Sequence, residues 1–178
     1  MRRKTKITMI ATESAAETYG ASAQMLFGHN TDNLANAALS EADKVLANVD
    51  ASAYAHSVTG TEEGIETKSA TLLLDSETTI RVYFQLIGEK TIDEYTFLVN
   101  GVEIAPVEKD GAYYVEISGI GAHRLSEKYQ VTVGGITVTY CALSYVNQVM
   151  NFSGSTAETV NMAKALFAYY EAAVAYKG

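Results

Sequence analysis

The sequence predicts an α+β fold, an antiparallel β-sandwich flanked by N- and C-terminal helices that pack together. Three observations predict it. Apolar residues recur at helical spacing at both ends of the chain, whereas the middle is made of short runs rich in Val, Ile, Thr, Tyr and Phe. The tight-turn dipeptides Asn100-Gly101, Asp110-Gly111 and Gly134-Gly135 punctuate that middle part. Finally, Ala15-Ala16-Glu17-Thr18-Tyr19-Gly20-Ala21-Ser22-Ala23 near the start is echoed by Ala165-Leu166-Phe167-Ala168-Tyr169-Tyr170-Glu171-Ala172-Ala173 near the end, at a constant offset of 150 that also relates Gly28 to Gly178.

These patterns divide the 178 residues into an N-terminal helical segment (1–50), a β-sandwich (51–141) and a C-terminal helical segment (142–178), expected to form one compact unit. Residues 4–27 read as a helix with one polar stripe at Lys6, Glu13, Glu17, Gly20 and Gln24. Gly28 and the cluster His29-Asn30-Thr31-Asp32-Asn33 suit a C-cap, a turn and a new N-cap. A short helix over Leu34 to Ala38 follows, then a capping arrangement at Ser40-Glu41-Ala42-Asp43.

Strands are expected at Ala53 to Val58, Ile65 to Leu74, Thr79 to Leu86, Tyr95 to Val99, Tyr113 to Ser118, Tyr129 to Val133 and Ile136 to Tyr140. In the third of these, Arg81 and Gln85 alternate with apolar neighbours, as in a strand wet on one face. About seven strands at near-regular spacing match an Ig-like sandwich. Beyond Cys141, Leu143 to Met150 reads as a short helix. Ser155-Thr156-Ala157-Glu158 reads as a capping box opening a helix to about Tyr176. That last helix is apolar over most of its circumference, so it must be covered from two directions.

The echo between the ends is confined to one helical face, because Ala15, Tyr19 and Ala23 are four apart, as are Ala165, Tyr169 and Ala173. A match on one face is a match in what the face touches. The expected helix-packing interface is Ala15, Tyr19, Gly20, Ala23, Leu166, Tyr169 and Ala173. Small residues let backbones approach, and tyrosines add buried area with a hydroxyl that can reach a partner. Gly20 in mid-helix costs about 1 kcal/mol relative to alanine, which a close contact would offset. The two helices pack either on each other or on a neighbouring module, so the chain reads as one period of an array.

The phrases Tyr19-Gly20-Ala21-Ser22-Ala23-Gln24, Asn30-Thr31-Asp32-Asn33-Leu34-Ala35-Asn36 and Leu166-Phe167-Ala168-Tyr169-Tyr170-Glu171-Ala172-Ala173 resemble modules of large secreted, cell-surface proteins of gut clostridia, in which a tyrosine- and alanine-rich helix alternates with a β-rich segment. The resemblance covers both ends well and the middle weakly. It implies an extracellular or wall-associated location and carries over no catalytic motif.

Charge and motifs narrow the chemistry. A formal net charge of -8 speaks against nucleic acid and anionic membrane surfaces as partners. The one basic cluster, Arg2, Arg3, Lys4 and Lys6, reads as a solvated terminus, and its poor fit to a helix N-terminus hints at chain once continuing upstream. The apolar stretch Ile7 to Ala11 is shorter than a signal-peptide core, and no run approaches a membrane span. Cys141 stands alone in an apolar context and reads as a buried thiol. His29, His56 and His123 lack zinc spacing, and Gly119-Ile120-Gly121 reads as a turn. Asp32 with Asp50, or Asp110 with Glu108, are the weak calcium candidates.

The expectation is therefore a non-catalytic structural or interaction module, without cofactor or metal, acting as a spacer or adhesion repeat whose partners are neighbouring modules of the same or an identical chain. The alternative is a carbohydrate-binding module stacking glycan on exposed tyrosines of the sandwich, Tyr83, Tyr95, Tyr113, Tyr114 and Tyr140, though tryptophan is absent. An adhesin would instead show an exposed apolar patch.

Overall fold

A computed structural model describes residues 15–23, 25–26, 49–75 and 77–177. The expectations at Gly28, His29, Asp32, Leu34 to Ala38, Ser40 to Asp43, Gly178 and the basic cluster lie outside the described residues. The chain divides into two compact units: Met1–Asp50 with Gln148–Gly178, and Ala51–Asn147. The second boundary falls inside a helix, a few residues beyond the composition change at Cys141.

Among the described residues, the unit Ala51–Asn147 is built on nine strands in two antiparallel sheets. They are β1 (Ser57–Thr59), β2 (Ile65–Leu74), β3 (Thr78–Leu86), β4 (Phe97–Val99), β5 (Val102–Glu103), β6 (Val107–Lys109), β7 (Ala112–Ile117), β8 (Tyr129–Val133) and β9 (Ile136–Tyr140). One sheet has the order β1-β9-β8-β4-β5, the other β2-β3-β7-β6. The count exceeds the seven expected because β5 and β6 are too short to show a period of two. The expected first strand is a turn of 3₁₀ helix at Ser52–Tyr54 followed by β1. The expected Tyr95 strand begins only at Phe97. Tyr95 itself closes a 3₁₀ turn at Ile92–Glu94, which opens with the Glu94 carboxylate accepting from the Thr91 N–H at 2.9 Å.

Turn chemistry sets the register. Asn100 and Gly101 have φ of 50° and 80°, and Asp110 and Gly111 have 52° and 75°, the left-handed pairs that two-residue hairpins require. Strand β3 shows the expected alternation: Ile80, Val82 and Phe84 are fully buried, while Arg81, Tyr83 and Gln85 are half-exposed. Phe84 of one sheet meets Phe97 of the other edge to face, with centroids 5.5 Å apart and planes at 80°. Also fully buried in this unit are Val115, Val131, Val133 and Tyr140.

Residues 15–23 and 25–26 are helical and are labelled α1, followed by α2 (Ala142–Asn151) and α3 (Ala157–Lys177). At the start of α2 the buried Ser144 hydroxyl accepts from the Cys141 N–H at 3.0 Å and donates to the Tyr54 carbonyl at 2.7 Å. The N-cap of α3 is Thr156, one residue later than the expected Ser155, with its hydroxyl accepting from the Thr159 N–H at 3.2 Å. Ser155 donates instead to the Val149 carbonyl at 2.7 Å. Along α3, Ala163, Ala165, Leu166, Phe167, Ala172 and Ala173 are buried, but Met162, Val174 and Tyr176 are exposed. The middle of this helix is buried, whereas these three apolar residues nearer its ends keep partial exposure.

Candidate functional site

In the unit containing both chain ends, three tyrosines join α1 to α3. Tyr169 and Tyr176 are seven residues apart, two helical turns, so they share a face and are separated along the axis by about 10.5 Å. That gap fits one aromatic ring, and Tyr19 fills it. Its ring stacks on Tyr169 at 5.4 Å and 16°, and on Tyr176 at 5.5 Å and 6°. The Tyr19 and Tyr169 hydroxyls are also hydrogen-bonded at 3.1 Å. Burial, then that hydrogen bond, push the Tyr169 hydroxyl well above the ordinary tyrosine pKa, so it stays protonated.

The other interface candidates divide. Leu166 and Ala173 are buried, and Ala15 and Ala23 are half-buried. Gly20 is exposed, and among the described residues nothing lies within 4 Å of where its Cβ would be. The close backbone approach expected at Gly20 is thus not made within the described chain, because this side of α1 faces away from the stack. Tyr176 was missed as an interface residue, although its spacing of seven from Tyr169 was the available signal.

In the unit Ala51–Asn147, the tyrosines proposed to form a platform do not lie in one plane. Tyr140 is 1% exposed, so burial removes it from any surface and raises its hydroxyl's pKa. Tyr114 is only 9% exposed, and the Arg81 guanidinium lies 4.7 Å above its ring. Arg81 is held there by Glu116, Nε to Oε2 at 2.7 Å, and that bond raises the guanidinium's pKa. Tyr83 packs on Tyr114 at 5.1 Å with planes at 45°. Tyr113 is paired with Phe84 on the opposite, inward face, and Tyr95 lies off the strands, donating its hydroxyl to the Glu63 carbonyl at 2.6 Å. Of the five, Tyr83 alone combines an outward strand position with a half-exposed ring.

A groove of about 430 Å³ opens in the same unit. Val58, Ile65, Ile87 and Ile136 give it apolar walls, with Glu62 and Thr67 among its polar ones. Its rim is fixed by Glu62, whose Oε2 accepts from the Gly135 N–H at 2.8 Å. Among the described residues, no group of three or more His, Cys, Asp or Glu side chains could hold a metal ion. None of the described helices is long and apolar enough to cross a membrane. The sequence matches no family model, and no curated protein or solved structure matches it either.

Proposed function

We propose that the chain is a non-catalytic structural module, a spacer or adhesion repeat of an extracellular bacterial surface protein, and that its partners are neighbouring modules of the same or an identical chain. The observation that carries the reading is the insertion of Tyr19 between Tyr169 and Tyr176. Its function is mechanical: it ties a segment near the start of the chain to one near its end, so that a pull on both termini loads a stack of rings before it loads the sheets. The surface location rests on the resemblance of the helical phrases alone. In the same reading the two sheets form an Ig-like β-sandwich, supported by the meeting of Phe84 and Phe97 from opposite sheets.

Deleting residues 1–28 tests it. A module fastened through Tyr19 loses several degrees of melting temperature, on the order of 4–8 °C per kcal/mol for a small unit. An unchanged melt overturns the reading, and retention on a polysaccharide gel abolished by Tyr83→Ala would replace it with glycan binding.

A further inference from the structure

The two sheets have four edge strands among the described residues. Three are very short: β1 and β6 have three residues each and β5 has two. Short edges are protected, because they offer too few backbone groups to template another strand. Strand β2 is the exception, with ten residues from Ile65 to Leu74 paired on one side to β3 and, among the described residues, to no strand on the other.

We propose that this edge pairs antiparallel with the same edge of a second copy of the chain, about a two-fold axis through Thr67. Such pairing sets residue 67+n opposite residue 67−n of the other copy. Glu66 therefore faces the partner's Lys68, and Lys68 faces the partner's Glu66. Both residues are exposed, so in the isolated chain neither charge is spent on the core. Parallel in-register pairing would set Glu66 on Glu66 and Lys68 on Lys68, which repel. Charges and bulges commonly guard an edge. Here the guards have opposite sign and stand two residues apart, so the two-fold turns them into matched pairs. The register shift between Thr67 and Ser69 leaves Lys68 outside the β3 ladder and open to another strand.

Two independent observations fall at the same place. The Thr67 hydroxyl oxygen is buried without a hydrogen-bond partner, a costly state for a polar atom. On the axis it meets the partner's Thr67 across the strand pair, a Thr–Thr contact typical of antiparallel sheets. Val58 and Ile87, 48% and 58% exposed, line the groove beside β2 and would be covered by the second copy. None of this involves the tyrosine stack, so it stands or falls separately from the spacer reading.

Sedimentation equilibrium of the full chain across the micromolar range tests it. The wild type is expected to form a concentration-dependent dimer. Lys68→Glu, which opposes two carboxylate pairs, should weaken dimerisation about tenfold or more. The charge swap Glu66→Lys with Lys68→Glu should restore it. Circular dichroism of each variant confirms the fold, as both positions are exposed. A monomeric wild type, a dimer indifferent to Lys68→Glu, or a dimer that the swap fails to restore would each overturn the proposal.

Discussion

Tyr19 and Tyr169 stand 150 residues apart in sequence and share a hydrogen bond of 3.1 Å between their hydroxyls over rings stacked at 5.4 Å. Two contributions are separable here. Tyr19→Phe removes the hydrogen bond and keeps the stack, so it should cost about 0.5–1 kcal/mol. Tyr19→Ala removes the stack on both neighbours and should cost about 2–3 kcal/mol. A double-mutant cycle between positions 19 and 169 in chemical denaturation should return a coupling of about 0.5–1.5 kcal/mol. Additive losses would mean that the rings touch without stabilising each other.

The same pair sets a pH dependence. Burial first, and the Tyr19 hydrogen bond second, raise the folded-state pKa of Tyr169 above that of an unfolded tyrosine, near 10. Folding thus favours the protonated phenol. Its contribution is complete below about pH 10 and is lost as the pH rises through the folded-state value. Melting temperature should be flat from about pH 8 to 10 and fall above that. Tyr140, raised by burial in the other unit, contributes to the same fall. Tyr169→Phe should make the alkaline decline shallower. An identical slope with and without the Tyr169 hydroxyl would remove it as the cause.

What was legible in the sequence follows from how local each signal is. Hairpin turns were readable because a positive φ at Asn100-Gly101 and Asp110-Gly111 demands particular residues whatever surrounds them. The inward and outward alternation of β3 was readable for the same reason, a repeat long enough to count. Strands β5 and β6 were not, since two or three residues carry no period. Tyr95 was misplaced on a strand although Thr91 and Glu94 stand at capping-box spacing just before it. The echo at offset 150 left open whether the faces of Tyr19 and Tyr169 meet within one chain or across modules; the two rings stack within the chain, whereas Gly20 has nothing within 4 Å of its Cβ position among the described residues. Helical phase tells which residues share a face and leaves the partner's width unknown. The cover of Tyr114 by Arg81 was invisible for a different reason, being a choice of side-chain direction across the strand pair.

That cover yields a third prediction. Arg81 bridges Glu116 and the Tyr114 ring, with side-chain exposures of 23% and 39% for the ion pair. Solvent screens a pair this open, so its worth is small. Arg81→Met keeps the aliphatic stem and loses the charge, and should cost about 0.5–1 kcal/mol. Arg81→Ala also bares the ring. Collisional quenching of tyrosine fluorescence should rise in Arg81→Ala and stay near wild type in Arg81→Met. No change in either would show the ring to be shielded by other residues.

The fourth prediction concerns the clamp between the segment after β1 and the hairpin joining β8 to β9. A Cβ on Gly60 would fall inside contact distance of the Gly135 carbonyl oxygen, and one on Gly135 against the Thr61 carbonyl oxygen. Both obstacles are backbone. Gly60 also has a φ of 74°, in the left-handed region, so an alanine there meets strain and overlap together. A Cβ on Gly134, with φ of 53°, would collide instead with the end of the Glu62 side chain, which can swing away at the loss of its hydrogen bond to Gly135. The order of damage should therefore be Gly60→Ala, then Gly135→Ala, then Gly134→Ala. The first should cost about 3 kcal/mol or more and the last about 1–2 kcal/mol. Glu62→Gln isolates the carboxylate by keeping shape and an acceptor while removing charge, and should cost under about 1 kcal/mol. Chemical denaturation of the four variants checks the ranking. If Gly134→Ala were the most damaging, the backbone contact would not be what fixes this corner of the unit.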